Sequence, residues 1–295
     1  MQEATEHRRR LSALVQLEPA TRDDGPGTAG LLRRLCSTVT NTLPATWAGI
    51  SLVEDGQVGG TVAGSDPQAR ELQDLQFNLG EGPCIDSVRA RGPVLEADLS
   101  GAGFGRWPAW APAAYRHGAR GVFAFPLQNG PVCVGALDIY QDRSAPMAAL
   151  AVTTALAFAD IAMEMLVDGQ AGAPAGYVEP DVEEVLAPRL EVYQAQGMVM
   201  VDLGVSLTEA MALLRAYAFT VGRPLGDVAR DVVAGTLRLE PYCRHHLPRP
   251  HWENGEEATH DRYRRPGRAV RRRGGHPGRR LRHRRLPAHG DHTDG

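Results

Sequence analysis

Cys36, Cys84, Cys133 and Cys243 are the cysteines of this 295-residue chain, and no two of them form a C-x-x-C pair. That spacing indicates neither a tetrahedral zinc site nor a disulfide framework. His117 has no acid or nucleophile near it in sequence, and Glu96 and Asp98 lack a partner base or metal-ligand spacing. Gly80 and Gly82, like Gly101, Gly103 and Gly105, lack the strand–loop–helix setting of a phosphate cradle. The expectation is therefore no catalytic constellation, no metal site and no cofactor: not an enzyme. Cys84 follows Pro83 near the start of a predicted helix, where the N-terminal dipole can lower a thiol pKa. It is the candidate redox sensor, against the plainer reading of a small buried residue. Trp107, Trp110 and Tyr115 fall on one segment, with the two tryptophans three apart and hence on one face. They are the candidate cover of a small-molecule pocket, or else the aromatic part of a core.

Recognition is the other chemistry on offer. Arg215 lies beside the apolar stripe of a predicted helix, and Phe219 lies one turn further along the same outward edge. A guanidinium near an exposed ring suits an unstacked nucleobase. The alternative is that Phe219 covers a dimer contact or the preceding domain. Arg230 stands three residues from Asp227, so it is either a nucleic-acid contact or half of a solvated ion pair. Residues 181–240 hold five Arg against nine acidic groups. A generic backbone binder would be basic, so binding here would depend on loop shape and stacking.

Three helices must position these residues. Ser206-Leu207-Thr208-Glu209 is a capping box, followed by an apolar stripe of Ala210, Leu213, Leu214, Tyr217, Ala218 and Val221. Gly222 ends that helix and Pro224 opens a third, in which Leu225, Val228, Ala229, Val232, Val233 and Thr236 repeat the spacing. The first helix, starting near Arg189 and stopped by Gly204, carries two interleaved stripes: Leu190, Tyr193, Gly197, Met200, and Val192, Ala195, Val199, Leu203. Burial on more than one side is expected, with a kink or break at Pro188.

Ala195-Gln196-Gly197-Met198-Val199-Met200, Gly204-Val205-Ser206, Glu209-Ala210, Arg223-Pro224-Leu225 and Asp227-Val228-Ala229 together resemble the ANTAR domain of bacterial transcription antiterminators. The resemblance covers residues 181–240. It implies RNA binding: a homodimer grips stem-loops in a nascent transcript within the RNA polymerase complex and prevents a terminator hairpin from forming. Gln196 stands where the family commonly has Lys, leaving an amide in place of a charge. Gln196, Arg215, Phe219, Arg223 and Arg230 are the candidate RNA-binding residues.

Residues 27–168 read as a mixed α/β domain. Helical spacing over 28–43 precedes strand-like runs at 46–54 and 57–63 around a hairpin signal, Glu54-Asp55-Gly56. A polar helix at 66–78, the turn Leu79-Gly80-Glu81-Gly82-Pro83-Cys84, a helix to Arg91, a strand at 93–97 and a helix at 107–117 follow. Two apolar strands, 121–128 and 132–140, flank Asn129-Gly130, and a helix spans 145–167. This order, with the 79–84 turn and Gly118-Ala119-Arg120-Gly121 entering a strand, resembles GAF domains that precede ANTAR domains in actinobacteria. The implied fold class is an α+β GAF-like domain, an antiparallel sheet with flanking helices, followed by an all-α three-helix ANTAR domain. The implied role of the first domain is sensing a signal or mediating dimerisation.

The expected organisation is an N-terminal extension at 1–26, the GAF-like domain at 27–168, a linker at 169–180, the ANTAR domain at 181–240 and a basic, disordered tail at 241–295. The tail holds fourteen Arg and six acidic residues, a formal charge of +8, with no apolar periodicity. It reads either as a basic RNA-binding arm or as the product of a reading-frame shift in a GC-rich gene. Every basic residue outside histidine is Arg, which fits such a gene. The 145–167 segment carries Asp160 and Glu164, so no membrane span is expected, and no signal-peptide pattern opens the chain. A cytoplasmic location follows from these readings. Two rivals to an RNA-binding antitermination regulator remain: a small-molecule sensor acting through protein–protein contacts, and a DNA-binding regulator. The third helix alternates Arg with Asp, which disfavours DNA. Arg215→Ala is expected to weaken RNA binding while leaving the fold intact.

Overall fold

The computed structural model describes residues 2–20, 27–54, 57–169 and 189–240, all within one compact unit, Met1–Pro248. The turn at Asp55-Gly56, linker residues 170–180, Pro188 and the tail with Cys243 lie outside the described residues.

Five strands form one antiparallel sheet in the order β2-β1-β5-β4-β3. They are β1 (Trp47–Glu54), β2 (Gln57–Gly64), β3 (Val94–Glu96), β4 (Gly121–Asn129) and β5 (Val132–Gln141). The Asn129-Gly130 signal is the β4–β5 turn, with Gly130 at φ 57° as such a turn requires. β4 reads as a continuous apolar run because the sheet is covered on both faces. Phe123 and Phe125 point into one core, and Val122 and Ala124 into another, as a period of two dictates.

On the first face lie α1 (Gln2–Leu17), α2 (Gly27–Thr42) and α7 (Ala149–Gly169). Helix α1 was not foreseen: Leu11 and Val15 join Leu32, Leu35, Ile50, Phe125 and Phe158 in one core. By length and composition α7 satisfies the requirements of a membrane span, which Asp160 and Glu164 were expected to deny it. Its Ala155, Phe158, Ala159 and Ala162 face is buried in the same core, while Glu164 pairs with Arg8 of α1 at 2.8 Å.

On the second face lie α3 (Pro67–Leu79), α4 (Pro83–Ala90), α5 (Phe104–Arg106) and α6 (Trp110–Arg116), with a π-helical turn at Leu99–Gly103. Asp66 caps α3, accepting from the Ala69 N–H at 2.8 Å. The 107–117 helix is shorter than expected. It begins at Trp110, beyond Pro108, and Glu81 accepts the Ala109 and Trp110 N–H groups at 2.6 and 2.7 Å.

The C-terminal helices are α8 (Leu190–Leu203), α9 (Leu207–Val221) and α10 (Leu225–Val233). The capping box forms in full: Ser206 Oγ accepts from the Glu209 N–H at 3.2 Å, and Glu209 Oε2 accepts from the Ser206 N–H at 2.9 Å. Gly204 and Gly222 take φ 65° and 63°. The three helices share a core of Val192, Ala195, Val199, Ala210, Leu214, Ala218, Leu225, Val228 and Val232. The stripe of α8 that begins at Leu190 departs from expectation: Leu190 is exposed, and Gly197 and Met200 are only half-buried. A three-helix unit offers α8 burial on one side, and the other side borders the N-terminal domain through Tyr193. An antiparallel sheet with flanking helices followed by three helices is the fold class expected.

Candidate functional site

The core of the three helices continues into the N-terminal domain, taking in Val53, Phe77, Cys84, Ile85 and Ala136. Phe77, on the last turn of α3, is the hub. The Tyr193 ring meets it edge-on at 6.4 Å, and the Arg189 guanidinium lies over it at 4.6 Å from the centroid. Arg189 also pairs with Asp74 and donates to Thr61 Oγ1 at 3.1 Å. Arg215 donates from Nε to the Phe77 carbonyl at 3.1 Å. Its guanidinium rests on Gly80, where a Cβ would come within 2.6 Å of Nη1. Gly80 also sits at φ 70°, a left-handed helix end that disfavours a side chain. The 79–84 turn is thus a structural device: Gly80 ends α3 and admits Arg215, Glu81 caps α6, and Gly82 lies against Gln76.

The candidate RNA-binding residues part company here. Arg215 is half-buried, and desolvation lowers its pKa to about 10, so it stays charged at neutral pH. Phe219 remains 71% exposed. Arg223 pairs with Asp231 at 2.8 Å, while Arg230 pairs with Asp227 at 2.9 Å and with Glu191 at 3.4 Å. Such exposed pairs are weak, so phosphates can exchange for these carboxylates at little cost. Gln196 donates to the Leu207 carbonyl at 2.7 Å, tying α8 to the start of α9. Between the domains runs a groove of about 430 Å³, walled by Leu79, Gly80 and Ala109 on one side and Arg215, Ala216 and Phe219 on the other.

Two of the three candidate ligand residues, Trp107 and Trp110, are core residues. Trp107 and Trp110 meet edge-to-face at 5.5 Å, both buried, and Trp110 packs beside Tyr140. Trp107 Nε1 donates to Asp86 at 3.2 Å, and Trp110 Nε1 to the Leu72 carbonyl at 3.5 Å. Half-buried Tyr115 carries the Arg120 guanidinium 3.8 Å above its ring. Cys84 is also in place at the start of α4, but it is fully buried. Burial first, then Asp138 and Cys133, push its thiol pKa up, opposite to the lowering expected from the helix dipole.

Sequence reasoning missed a buried polar cluster between the sheet and α3. Gln76 Nε2 donates to Asp138 Oδ2 at 2.7 Å, and Gln76 Oε1 accepts the Cys84 N–H at 2.9 Å. Ser51 donates to Gln73 Oε1 at 3.0 Å. Burial pushes the Asp138 pKa up to about 7, although donors from Gln76 and Tyr140 pull it back. Its signal was a lone Asp within an otherwise apolar strand. Among the described residues, no group of three or more His, Cys, Asp and Glu could hold a metal ion.

The ANTAR domain family model matches residues 181–233, and α8, α9 and α10 fall in its described part. Three solved structures are similar to the chain. The GAF domain of a phosphoenolpyruvate-protein phosphotransferase from Coxiella burnetii is 18% identical, with 57% of this chain and 95% of that one covered and a TM-score of 0.43. The GAF domain of the Acinetobacter phosphoenolpyruvate-protein phosphotransferase is 10% identical, covering 58% and 96%, with a TM-score of 0.43. A type II free methionine-R-sulfoxide reductase from Thermoplasma acidophilum is 18% identical, covering 48% and 93%, with a TM-score of 0.38. No curated protein matches the chain.

Proposed function

We propose that this chain is a cytoplasmic, dimeric RNA-binding regulator of transcription antitermination. Its ANTAR domain binds stem-loops in nascent transcripts, within reach of RNA polymerase, and its N-terminal domain senses a signal or mediates dimerisation. It is not an enzyme and needs no cofactor. The observation that carries the reading is the ANTAR match at 181–233, which ends with the last residue of α10. The exposed Phe219 ring supports it, since loop bases splayed out of a stem stack on such side chains. The actinobacterial type rests on the 79–84 motif and the exclusive use of Arg.

The acidic balance of the module turns recognition toward loops. With Arg223 and Arg230 already facing carboxylates, long-range attraction to a phosphate backbone is weak. Shape and stacking must then do the selecting. The chain turns by 107° between α8 and α9, an angle also found in helix-turn-helix motifs, so duplex DNA is the comparison ligand.

The test of the biological role is in vitro transcription through a terminator preceded by stem-loops that the protein binds. Added protein should raise read-through; read-through unchanged at saturating protein rejects antitermination.

A further inference from the structure

We propose that Asp138 and Gln76 form a proton-operated latch: a neutral carboxyl holds α3 on the sheet, an ionised one releases it, and the seating of the three C-terminal helices follows. This makes the proton a signal for the sensing role proposed above, and it rests on that reading only for its biological use. Side chains alternate along β5, so Ala136, Asp138 and Tyr140 share the face that α3 and α4 cover. Ala136 belongs to the core shared with the C-terminal helices and Tyr140 to the tryptophan core, and Asp138 is wholly buried between them. Gln76 is the clasp. Its Nε2 donates to Asp138 Oδ2 at 2.7 Å and its Oε1 accepts the Cys84 N–H at 2.9 Å, so one side chain ties β5, α3 and α4 together. The next residue is Phe77, whose ring and carbonyl hold Arg189, Tyr193 and Arg215.

The latch answers to a proton because nothing around Asp138 offsets a charge. The groups that face it are Gln73 and Gln76 from α3, Cys84 from α4 and Tyr140 from β5, with Ser51 of β1 bonded to Gln73 and Cys133 of β5 beside Cys84. Cys84 and Tyr140 have raised pKa values, both first through burial, and stay neutral. Gly49 and Ala124, paired with Asp138 on the neighbouring strands, bring no charge. Arg189 and Arg215 are committed to Asp74 and to the Phe77 carbonyl. Asp138 Oδ1 and Gln73 Nε2 are buried without a hydrogen-bond partner. A neutral carboxyl bears an idle oxygen at modest cost, whereas an anion demands donors or water. Release of α3 would hydrate both atoms.

The sign follows from linkage. Seated under α3, Asp138 has its pKa raised by burial to about 7; hydrated, it returns to the ordinary carboxylate value of about 4. The seated state keeps a proton that the released state gives up, so seating is favoured at acid pH and weakens as pH rises from about 4 through 7. Between about pH 6 and about pH 8 the release equilibrium should shift about tenfold toward the open state.

The test is hydrogen exchange of the full chain, corrected for intrinsic rates. In the wild type, α3 and α9 should exchange ahead of α2 and α7, which cover the opposite face of the sheet. Both should also exchange about tenfold faster at about pH 8 than at about pH 6. Asp138→Asn should exchange equally at the two pH values. Exchange of α3 and α9 at the same rate as α2 and α7 overturns the latch, since Asp138 would then act on the whole fold. Wild-type exchange independent of pH, or an unaltered tenfold change in Asp138→Asn, overturns it as well. A pH response confined to α3 overturns the link to the C-terminal helices. Should Asp138→Asn fail to fold, the Asp138 carboxyl carbon resonance of the wild type decides. It should titrate near neutral pH; a carboxylate already ionised at about pH 5 overturns the proposal. No RNA enters either measurement, so loss of the latch and loss of the RNA-binding reading are separate results.

Discussion

Asp138 is a carboxyl group held in a place made for a neutral one. Its folded pKa, near 7, lies above the ordinary carboxylate value of about 4. Between those values the folded chain keeps a proton that the unfolded chain has released, so stability falls as pH rises from about 4 through 7. The contribution is fully present at the acid end and lost above pH 7. Asp138→Asn keeps an acceptor for Gln76 and removes the titration, so it should flatten this slope. Thermal melts of both proteins at about pH 5 and about pH 8 check the sign; parallel slopes would clear Asp138 of the effect. Cys84 follows the same logic at the residue scale. Buried beside Asp138 with its pKa raised, it should react with a thiol reagent only as fast as the domain opens. Prompt labelling in the native protein would restore it as a candidate redox sensor.

Among the elements, the helix caps and the joint between α3 and α9 carry distinct predictions. Ser206→Ala removes one half of the capping box and should cost about 1 kcal/mol, measured by urea unfolding. Arg215→Ala should cost about 1–3 kcal/mol, since it takes a charged donor from the Phe77 carbonyl. It should also speed hydrogen exchange in α3. The expectation that Arg215→Ala weakens RNA binding while leaving the fold intact thus gains a stability cost; unchanged stability and exchange would remove that cost. The C-terminal helices were legible because their caps and stripes are local, written within four residues of one another. The β4–β5 hairpin was legible for the same reason. Helix α1 was not, because Leu11 and Val15 are a short stripe without a clear cap. The joint could not be read either. Phe77 and Arg215 are 138 residues apart, and no local pattern announces that they meet. Glu81 capping a helix 28 residues on is equally silent in sequence.

At the scale of the whole molecule, the described residues form one unit in which the sheet and the three helices share a core. A change on the α3 face therefore has a direct mechanical path to α9. Charge is divided along the chain: the segment after Glu240 carries +8, and the remainder −11. Truncation after Glu240 should leave loop recognition in place and reduce the dependence of RNA affinity on salt, because fewer phosphate counterions would be released. An identical salt slope with and without 241–295 would show that this segment takes no part in binding. The central claim is that the chain reads structured RNA. The most direct measurement is equilibrium binding of the full-length protein to a stem-loop RNA pool, compared with duplex DNA at matched salt. Selective retention of particular RNA loops, with weak and sequence-independent DNA binding, is the predicted result. Equal affinity for both, or no RNA retained at any loop sequence, would contradict it.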